Sequence, residues 1–220
     1  MGYNNNMKLT KRERQLYDWA KKFYEGKPEK IDRAHQWDHV MRVLFNVSKI
    51  QKKEGGDLRI LIPAIFLHDI GQAYDGSLGQ TEHAKLSAEY APEILLKFGY
   101  NNQEVLKICE TIELHSTRYT SEKEMTTEGK VIFDADKMDA VGLSLVLRYA
   151  KKFYWASHRE LAQKNLDLFA KWHKNRGDQI FFTETARRMG EQQMKDAINF
   201  AKKVIQEEDK MDKFFANIAI

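Results

Sequence analysis

Apolar residues recur every three or four positions along most of the chain, and this spacing is the strongest constraint on its fold. In the segment DHVMRVLFNVSKIQKK the apolar residues share one helical face, namely Val40, Val43, Leu44, Val47 and Ile50. Only three prolines interrupt the 220 residues, and no stretch shows the alternation of apolar and polar residues that is typical of a strand. The sequence therefore predicts an all-α fold.

Short polar signals divide this pattern into separate helices. Asp57 is expected to cap a helix that follows the pair Gly55-Gly56, and Asn101 with Glu104 has the spacing of a capping box. Ser157 with Glu160 has the same spacing. Other predicted helices cover residues of about 8–25, 81–98, about 131–149 and 183 to about 208.

The composition is that of one folded domain. With 42% hydrophobic residues the chain can fill a sizeable core, and no repeat or linker divides it, so we expect a single domain over residues 1–220. The net charge of +4 is spread among 32 acidic residues, which argues against nucleic acid as a partner. The absence of a long apolar run and of a secretory start predicts no membrane partner and a cytoplasmic location.

The single cysteine, Cys109, excludes an internal disulfide framework and a cysteine-rich zinc site. It is expected to be a packing residue on a helix face. Any metal site in this chain must therefore be built from histidines and carboxylates.

An adjacent imidazole and carboxylate, His68-Asp69, ends the apolar run in IFLHDIG. Two polar side chains in such a run are costly to bury unless something binds them, and a metal ion would do so. His39 and Asp136 also fall on predicted helices, and metal sites in helical proteins use inward-projecting side chains from facing helices. Each residue alone is weak support, but the joint pattern indicates that the four side chains converge.

The segments HQWDHVMRV, AIFLHDIG and DADKMDAVG follow one another in an order that resembles the HD superfamily of metal-dependent phosphohydrolases. The signature of that family is a His, an adjacent His-Asp and a distant Asp. The similarity is greatest to stand-alone, single-domain bacterial HD hydrolases. It implies a single-domain HD-type helical bundle, with an HD core over about 30–150 and a C-terminal helical extension over about 151–220.

The resemblance also implies a set of metal ligands. His39 corresponds to the first His of the signature, His68 and Asp69 to the doublet, and Asp136 to the last Asp, with Asp134 as the competing residue for that place. Such a set of nitrogen and oxygen ligands suits Mn²⁺, Fe²⁺, Co²⁺, Ni²⁺ or Zn²⁺ and, less naturally, Mg²⁺, bound as one or two ions. The implied chemistry is attack on phosphorus by metal-activated water.

Further histidines lie near the signature. His83 and His115 fall where some HD proteins carry two extra histidines, so they are expected to bind a second metal ion or the substrate phosphate, unless they are partly exposed helix residues. His35 lies one turn before His39, but no Glu follows it, so we interpret it as a structural or supporting residue and not as part of a zinc-protease motif. Gln72 stands where several HD hydrolases carry a charged residue that transfers a proton. The proton-transfer group is thus unassigned.

Cationic side chains are needed beside a phosphate that approaches carboxylates. The candidates are Arg42, Arg118 and Lys137, of which Arg118 begins a polar loop and is the one most readily explained as surface charge. Asp139 is a candidate to hold Arg42 or a ligand histidine in place. The expected catalytic residues are therefore Arg42 and Lys137, together with Asp69, which would orient the nucleophile.

These residues predict a metal-dependent phosphohydrolase that cleaves a phosphate ester or anhydride of a small phosphorylated molecule, above all a nucleotide. One alternative is an HD-fold di-iron oxygenase, which the extra histidines keep open, and another is a nucleotide-binding module without turnover. The apolar tail, residues 214–220, is expected to pack on its own chain or on a second copy in a homodimer.

Overall fold

The computed structural model describes residues 8–27, 31, 35–74, 80–116, 125–153, 155–176 and 180–216. Within these ranges the chain forms nine α-helices and one 3-10 helix and no strand, which confirms the predicted all-α fold. None of the described helices combines the length and the apolarity that crossing a membrane requires. The helices are α1 (Lys11–Glu25), α2 (Trp37–Glu54), α3 (Leu58–Leu67), the 3-10 helix (Ile70–Ala73), α4 (Gln80–Lys97), α5 (Asn102–Leu114), α6 (Thr127–Asp139), α7 (Leu143–Lys152), α8 (His158–Arg176) and α9 (Glu184–Ala216).

The chain divides into two compact units, Met1–Asp136 and Lys137–Ile220. In the first unit α3 is the central element, because every residue from Ile60 to Leu67 is buried and the helix packs against α1, α2, α4 and α5. In the second unit α7, α8 and α9 pack against one another. The division into an HD core and an extension near residue 150 stays a prediction.

The signals that predicted helix starts are present as hydrogen bonds. The side chain of Asp57 accepts a hydrogen bond from the first turn of α3. Asn101 and Glu104 form the predicted capping box of α5. At the start of α8, the carboxylate of Glu160 accepts the N–H of Ser157 at 2.7 Å, and the hydroxyl of Ser157 accepts the N–H of Glu160 at 3.2 Å. These starts are therefore fixed by local sequence.

Two predicted helix bounds are wrong. The helix predicted over about 131–149 is interrupted between α6 and α7, where Gly142 approaches α9 so closely that an added Cβ would lie 3.0 Å from Gln193 Oε1. The last helix continues past 208 to Ala216, and Phe214 and Phe215 near its end are 63% and 62% exposed. The described part of the apolar tail is thus not covered by its own chain; the predicted homodimer stays a prediction, and residues 217–220 lie outside the described ranges.

Candidate metal centre

The His68-Asp69 pair lies where the buried helix α3 ends. His68 is the C-cap residue of α3, and Asp69 stands between α3 and the 3-10 helix. Both side chains are almost completely buried, with 0% and 1% of their surface exposed. The end of a core helix therefore holds the pair in the interior of the first unit.

The first donor set consists of the four predicted ligands. The Nε2 atom of His39, from α2, lies 3.2 Å from Nε2 of His68 and 3.4 Å from Oδ2 of Asp69. It also lies 3.2 Å from Oδ1 of Asp136, which comes from α6. Nε2 of His68 is 3.3 Å from the same Asp69 Oδ2. Of the two competing carboxylates on α6, Asp136 makes this contact, whereas Asp134 is fully buried.

A second donor set uses the other oxygen of Asp69. Nε2 of His83, on α4, lies 3.2 Å from Asp69 Oδ1, and Nε2 of His115, at the end of α5, lies 3.6 Å from it. The two Nε2 atoms are 3.1 Å apart. His83 and His115 are 3% and 1% exposed, which excludes the alternative that they are partly exposed helix residues. Asp69 thus joins the two donor sets through its two oxygens.

For His68 and His115, the contact that Nδ1 makes determines which ring nitrogen carries the proton. Nδ1 of His68 lies 2.7 Å from the carbonyl oxygen of Ile65, and Nδ1 of His115 lies 2.6 Å from that of Ile112. Because a carbonyl oxygen only accepts, each Nδ1 must carry the proton, and a neutral ring then has its lone pair on Nε2. Burial lowers the pKa of His115 to about 4, so this ring is neutral at pH 7. Nε2 of His115 therefore faces the centre as an electron-pair donor, and Nε2 of His68 can do so whenever its ring is neutral.

The carboxylate of Asp69 is ionised at the centre of these donors. Burial opposes its ionisation, but charge interactions with His68 and His35 outweigh burial and hold the pKa of Asp69 well below its usual range. Neither oxygen has a hydrogen bond of good geometry within the described part of the chain. A buried anion needs positive charge beside it, and a metal ion between the carboxylate and the imidazoles would supply that charge when the rings are neutral. The donor types fit a divalent metal ion, and two groups of these side chains have the mutual spacing that such an ion needs.

The family profile of the HD domain matches residues 37–141, which include both donor sets. The chain is an HD-domain protein. The uncharacterised protein YpgQ of Bacillus subtilis strain 168 is 26% identical to it over 201 residues, which cover 90% of this chain and 94% of YpgQ.

Solved structures agree with this assignment. The crystal structure of a predicted HD superfamily hydrolase from an uncultured Thermotogales bacterium is 26% identical, covers 88% of this chain and 91% of its own, and superposes with a TM-score of 0.61. The crystal structure of YpgQ in complex with ADP, at 22% identity, covers 90% and 95% with a TM-score of 0.63. With the donor sets, these likenesses support a metal-dependent hydrolase of the HD superfamily.

The cationic residues predicted for this HD-domain protein have different surroundings. Arg42 forms an ion pair with Asp38, one turn earlier on α2, at 2.7 Å, and about a third of its side chain is exposed. Lys137 directly follows the last ligand on α6 and is buried, as is Asp139 at the end of that helix. Arg118 lies outside the described residues. The structure therefore places Arg42 in an ion pair near the start of α2.

His35 lies beside both donor sets. Its ring centroid is 5.6 Å from that of His39 and 6.0 Å from that of His83, so it borders one member of each set. Gln72 is buried in the 3-10 helix, three residues after Asp69. The supporting position predicted for His35 is consistent with these distances.

Other candidates from the sequence do not belong to the centre. Cys109 is half-buried, and burial raises the pKa of its thiol to about 11, so it is protonated at neutral pH and unsuited as a nucleophile. The side chain of His158 is 80% exposed, and its Nδ1 lies 3.5 Å from Oε1 of Glu208, so this histidine is a surface residue.

Sequence reasoning missed the contacts that hold the donor-bearing helices together. The amide of Asn46 on α2 donates to the carbonyl oxygen of Ala135 on α6 at 3.0 Å. The N–H of Gly71 donates to the hydroxyl of Ser87 on α4 at 2.9 Å, and a Cβ at Gly71 would lie only 2.5 Å from the carbonyl oxygen of His83. A polar residue in the apolar stripe of α2 was the available signal for Asn46. Nothing in the sequence marks the close approach at Gly71.

Proposed function

We propose that this HD-domain protein is a metal-dependent phosphohydrolase that cleaves a phosphate ester or anhydride of a nucleotide. The observation that carries the proposal is the convergence of histidine Nε2 atoms and carboxylate oxygens on Asp69, whose ionised oxygens are buried without hydrogen bonds in the described part of the chain. The complex of YpgQ with ADP supports a nucleotide as the substrate class, because YpgQ is similar to this chain over nearly its whole length.

The residues that would hold metal form two groups around one carboxylate. His39, His68, Asp136 and Oδ2 of Asp69 would hold one ion, whereas Oδ1 of Asp69 with the two histidines of the second donor set would hold another. A divalent ion in such a site supplies Lewis acidity at a phosphoryl oxygen and lowers the pKa of water from 15.7 towards about 7. The mixed nitrogen and oxygen donors suit Mn²⁺, Fe²⁺, Co²⁺, Ni²⁺ and Zn²⁺, and Mg²⁺ less naturally.

The side chains have separate tasks in this proposal. Hydrolysis joins a water oxygen to phosphorus and breaks the bond from phosphorus to the leaving oxygen, which departs with the bonding electron pair. The water gives up one proton, which goes to the leaving oxygen or to solvent. Asp69, which is ionised and central, orients the attacking water. Arg42 and Lys137 offset phosphate charge, and Arg42 exchanges part of its ion pair with Asp38 for the substrate. Arg118 is the third candidate for this task, and its replacement by Ala, which should weaken turnover if it contacts the phosphate, tests that point.

The experiment that tests the proposal is a panel of metals against nucleotides. Metal-free protein is loaded with each divalent ion and incubated with nucleoside mono-, di- and triphosphates and with cyclic nucleotides, and orthophosphate, pyrophosphate and nucleoside are quantified separately. Asp69→Ala should abolish product formation while the helical circular dichroism is retained. Asp167→Ala, which removes an exposed carboxylate on α8, is the matched control and should keep wild-type turnover. Wild-type turnover in Asp69→Ala would refute the proposal.

The second donor set favours one other activity. With His83 and His115 on the second oxygen of Asp69, the centre could hold two irons for oxygen chemistry, which a few HD-fold proteins carry out. Substrate-dependent O₂ consumption by iron-loaded protein, without phosphate release, would favour the oxygenase. Nucleotide-induced stabilisation with no product under any metal would instead indicate a binding module.

A further inference from the structure

His35 lies two residues before the part of the chain that matches the HD family, yet its imidazole ring borders both donor sets. The centroid of this ring is 5.6 Å from that of His39, which belongs to the first donor set. It is 6.0 Å from that of His83, which belongs to the second. Neighbouring imidazoles within one donor set are only slightly closer, at 5.3 Å in the first set and 5.2 Å in the second. His35 is therefore a direct neighbour of the metal centre.

His35 differs from the metal-binding histidines in its exposure. The four histidines of the donor sets, together with Asp69, are at most 3% exposed. His35 is partly exposed, and among the donors this holds only for Asp136, with 15% of its side chain exposed. A ligand that reaches the centre from solvent is thus expected to meet these two residues.

A phosphate that approaches the centre meets the carboxylates of Asp69 and Asp136 and needs hydrogen-bond donors that offset their repulsion. An imidazole carries an N–H group in both its neutral and its protonated form, so it can fill this need in either state. Burial is the largest influence on the pKa of Asp69 and raises it, whereas the charges of His68 and then of His35 lower it. His35 therefore stabilises an anion at this centre.

Two observations favour the ligand of the metal, and not the metal itself, as the partner of His35. Neither of the two groups of side chains that have metal-ligand spacing in the described part of the chain includes His35. Its Nδ1 atom is buried although the residue as a whole is partly exposed. We therefore expect the other ring nitrogen, Nε2, to meet a ligand that arrives from solvent.

We propose that His35 is a phosphate-binding residue: the N–H group at Nε2 donates a hydrogen bond to a phosphoryl oxygen of the ligand that the two donor sets share. This role goes beyond the supporting position predicted from the sequence, because His35 then touches the substrate. The inference rests on the proposed function in requiring that the ligand of the metal centre carries a phosphate group.

Three substitutions at this position separate a phosphate contact from other roles. His35→Ala removes the ring. His35→Gln places an amide N–H near the former position of Nε2, whereas His35→Asn places one near that of Nδ1. His158→Ala is the matched control, because this histidine is 80% exposed and begins α8 away from the metal centre.

Metal-free protein is titrated with Co²⁺, and the loaded protein is then titrated with inorganic phosphate, both followed by the visible absorption of the ion. We expect His35→Ala to bind Co²⁺ like wild type but to bind phosphate about 10- to 100-fold more weakly, because a hydrogen bond to a charged group is lost. His35→Gln should recover much of the phosphate affinity, and His35→Asn should not. His158→Ala should match wild type in both titrations.

Urea unfolding of each metal-free variant distinguishes a ligand contact from a structural role. Unchanged phosphate affinity in His35→Ala would overturn the inference, and so would a loss of Co²⁺ affinity as large as the loss of phosphate affinity. If His35→Ala does not fold, the two amide variants decide the question. Equal phosphate affinities in His35→Gln and His35→Asn would then overturn the inference.

The titrations also separate this inference from the proposed function. Phosphate binding that depends on His35, in a protein that hydrolyses no nucleotide, would refute the phosphohydrolase alone. Hydrolysis by wild type with unchanged phosphate affinity in His35→Ala would refute the role of His35 alone. Absence of Co²⁺ binding by wild type would overturn both.

Discussion

Gly71→Ala tests whether the contact between the 3-10 helix and α4 sets the geometry of the second donor set. Gly71 follows Asp69 by two residues, and its N–H donates to the hydroxyl of Ser87 at 2.9 Å. A Cβ at this position would lie 2.5 Å from the carbonyl oxygen of His83 and 3.0 Å from both the nitrogen and the hydroxyl oxygen of Ser87. Two of these three atoms belong to the main chain, so no side-chain rotation relieves the contact.

The size of the effect follows from these distances. Bringing the added Cβ at position 71 from 2.5 Å to the 3.4 Å of an ordinary contact requires the 3-10 helix and α4 to separate by roughly 0.9 Å. Overpacking of this kind costs about 1–3 kcal/mol of stability. The same movement would lengthen the 3.2 Å distance between Asp69 Oδ1 and His83 Nε2. Because metal-ligand distances are defined to within about 0.2 Å, this change should weaken metal binding by the second donor set. The first donor set, which does not use α4, should be affected less.

Two measurements and one control decide the matter. Urea unfolding of the metal-free variant should show the loss of stability, and calorimetric titration with Mn²⁺ should show a weakened or missing second binding event. Gly55→Ala is the control. Gly55 has a φ of +86° and a ψ of −159°, which glycine almost alone adopts, but nothing lies within 4 Å of its Cβ position, so the substitution adds backbone strain of about 1–3 kcal/mol without displacing an element. A Gly71→Ala protein with wild-type stability and an unchanged Mn²⁺ titration would refute the reasoning.

Two further perturbations concern the helices that carry the donors. Asn46→Leu keeps the approximate volume of the side chain but removes the hydrogen bond to Ala135 on α6. Urea unfolding should then show a loss of about 1–2 kcal/mol in the free energy of unfolding, together with weaker metal binding. Unchanged unfolding would exclude this contact as a link between α2 and α6. The free energy of unfolding of the metal-free protein should fall by up to about 3 kcal/mol as the pH falls from about 6.5 to about 4. The reason is that the pKa of His115 is about 4 in the folded protein but 6.5 in the unfolded chain, so that in this range only the unfolded chain binds the proton. The unfolded state binds more protons in this window, so stability rises with pH; His115→Gln should flatten the profile, and an equally steep profile in the variant would contradict the assignment.

The starts of several helices could be read from the sequence because their determinants are local. The capping box of Asn101 and Glu104 involves residues three positions apart, and both members are visible in the printed sequence. The interruption between α6 and α7 could not be read in this way, because the residue that crowds Gly142 is Gln193, which is distant along the chain. A glycine that is needed for tertiary contact looks in sequence like any other glycine.

The same difference between local and tertiary determinants applies to the metal centre. His68-Asp69 was recognisable because two polar residues in an apolar run need a reason to be buried. The choice of Asp136 over Asp134 came from the resemblance to the family alone, since both interrupt the same apolar helix, and the distance of 3.2 Å from Asp136 Oδ1 to His39 Nε2 adds a geometric reason for it.

The aromatic contacts around Trp37 give the protein an intrinsic optical probe of its own centre. The Trp37 indole packs among Tyr17, Tyr24 and Phe66 and precedes His39 by two residues. Paramagnetic ions such as Mn²⁺ and Co²⁺ quench the emission of a nearby indole, whereas diamagnetic Zn²⁺ does not. The chain has four tryptophans, so the fraction of the fluorescence that these ions quench would indicate how much of the emission comes from tryptophans near the centre. Metal occupancy of the centre could then be followed in real time without a label or a substrate.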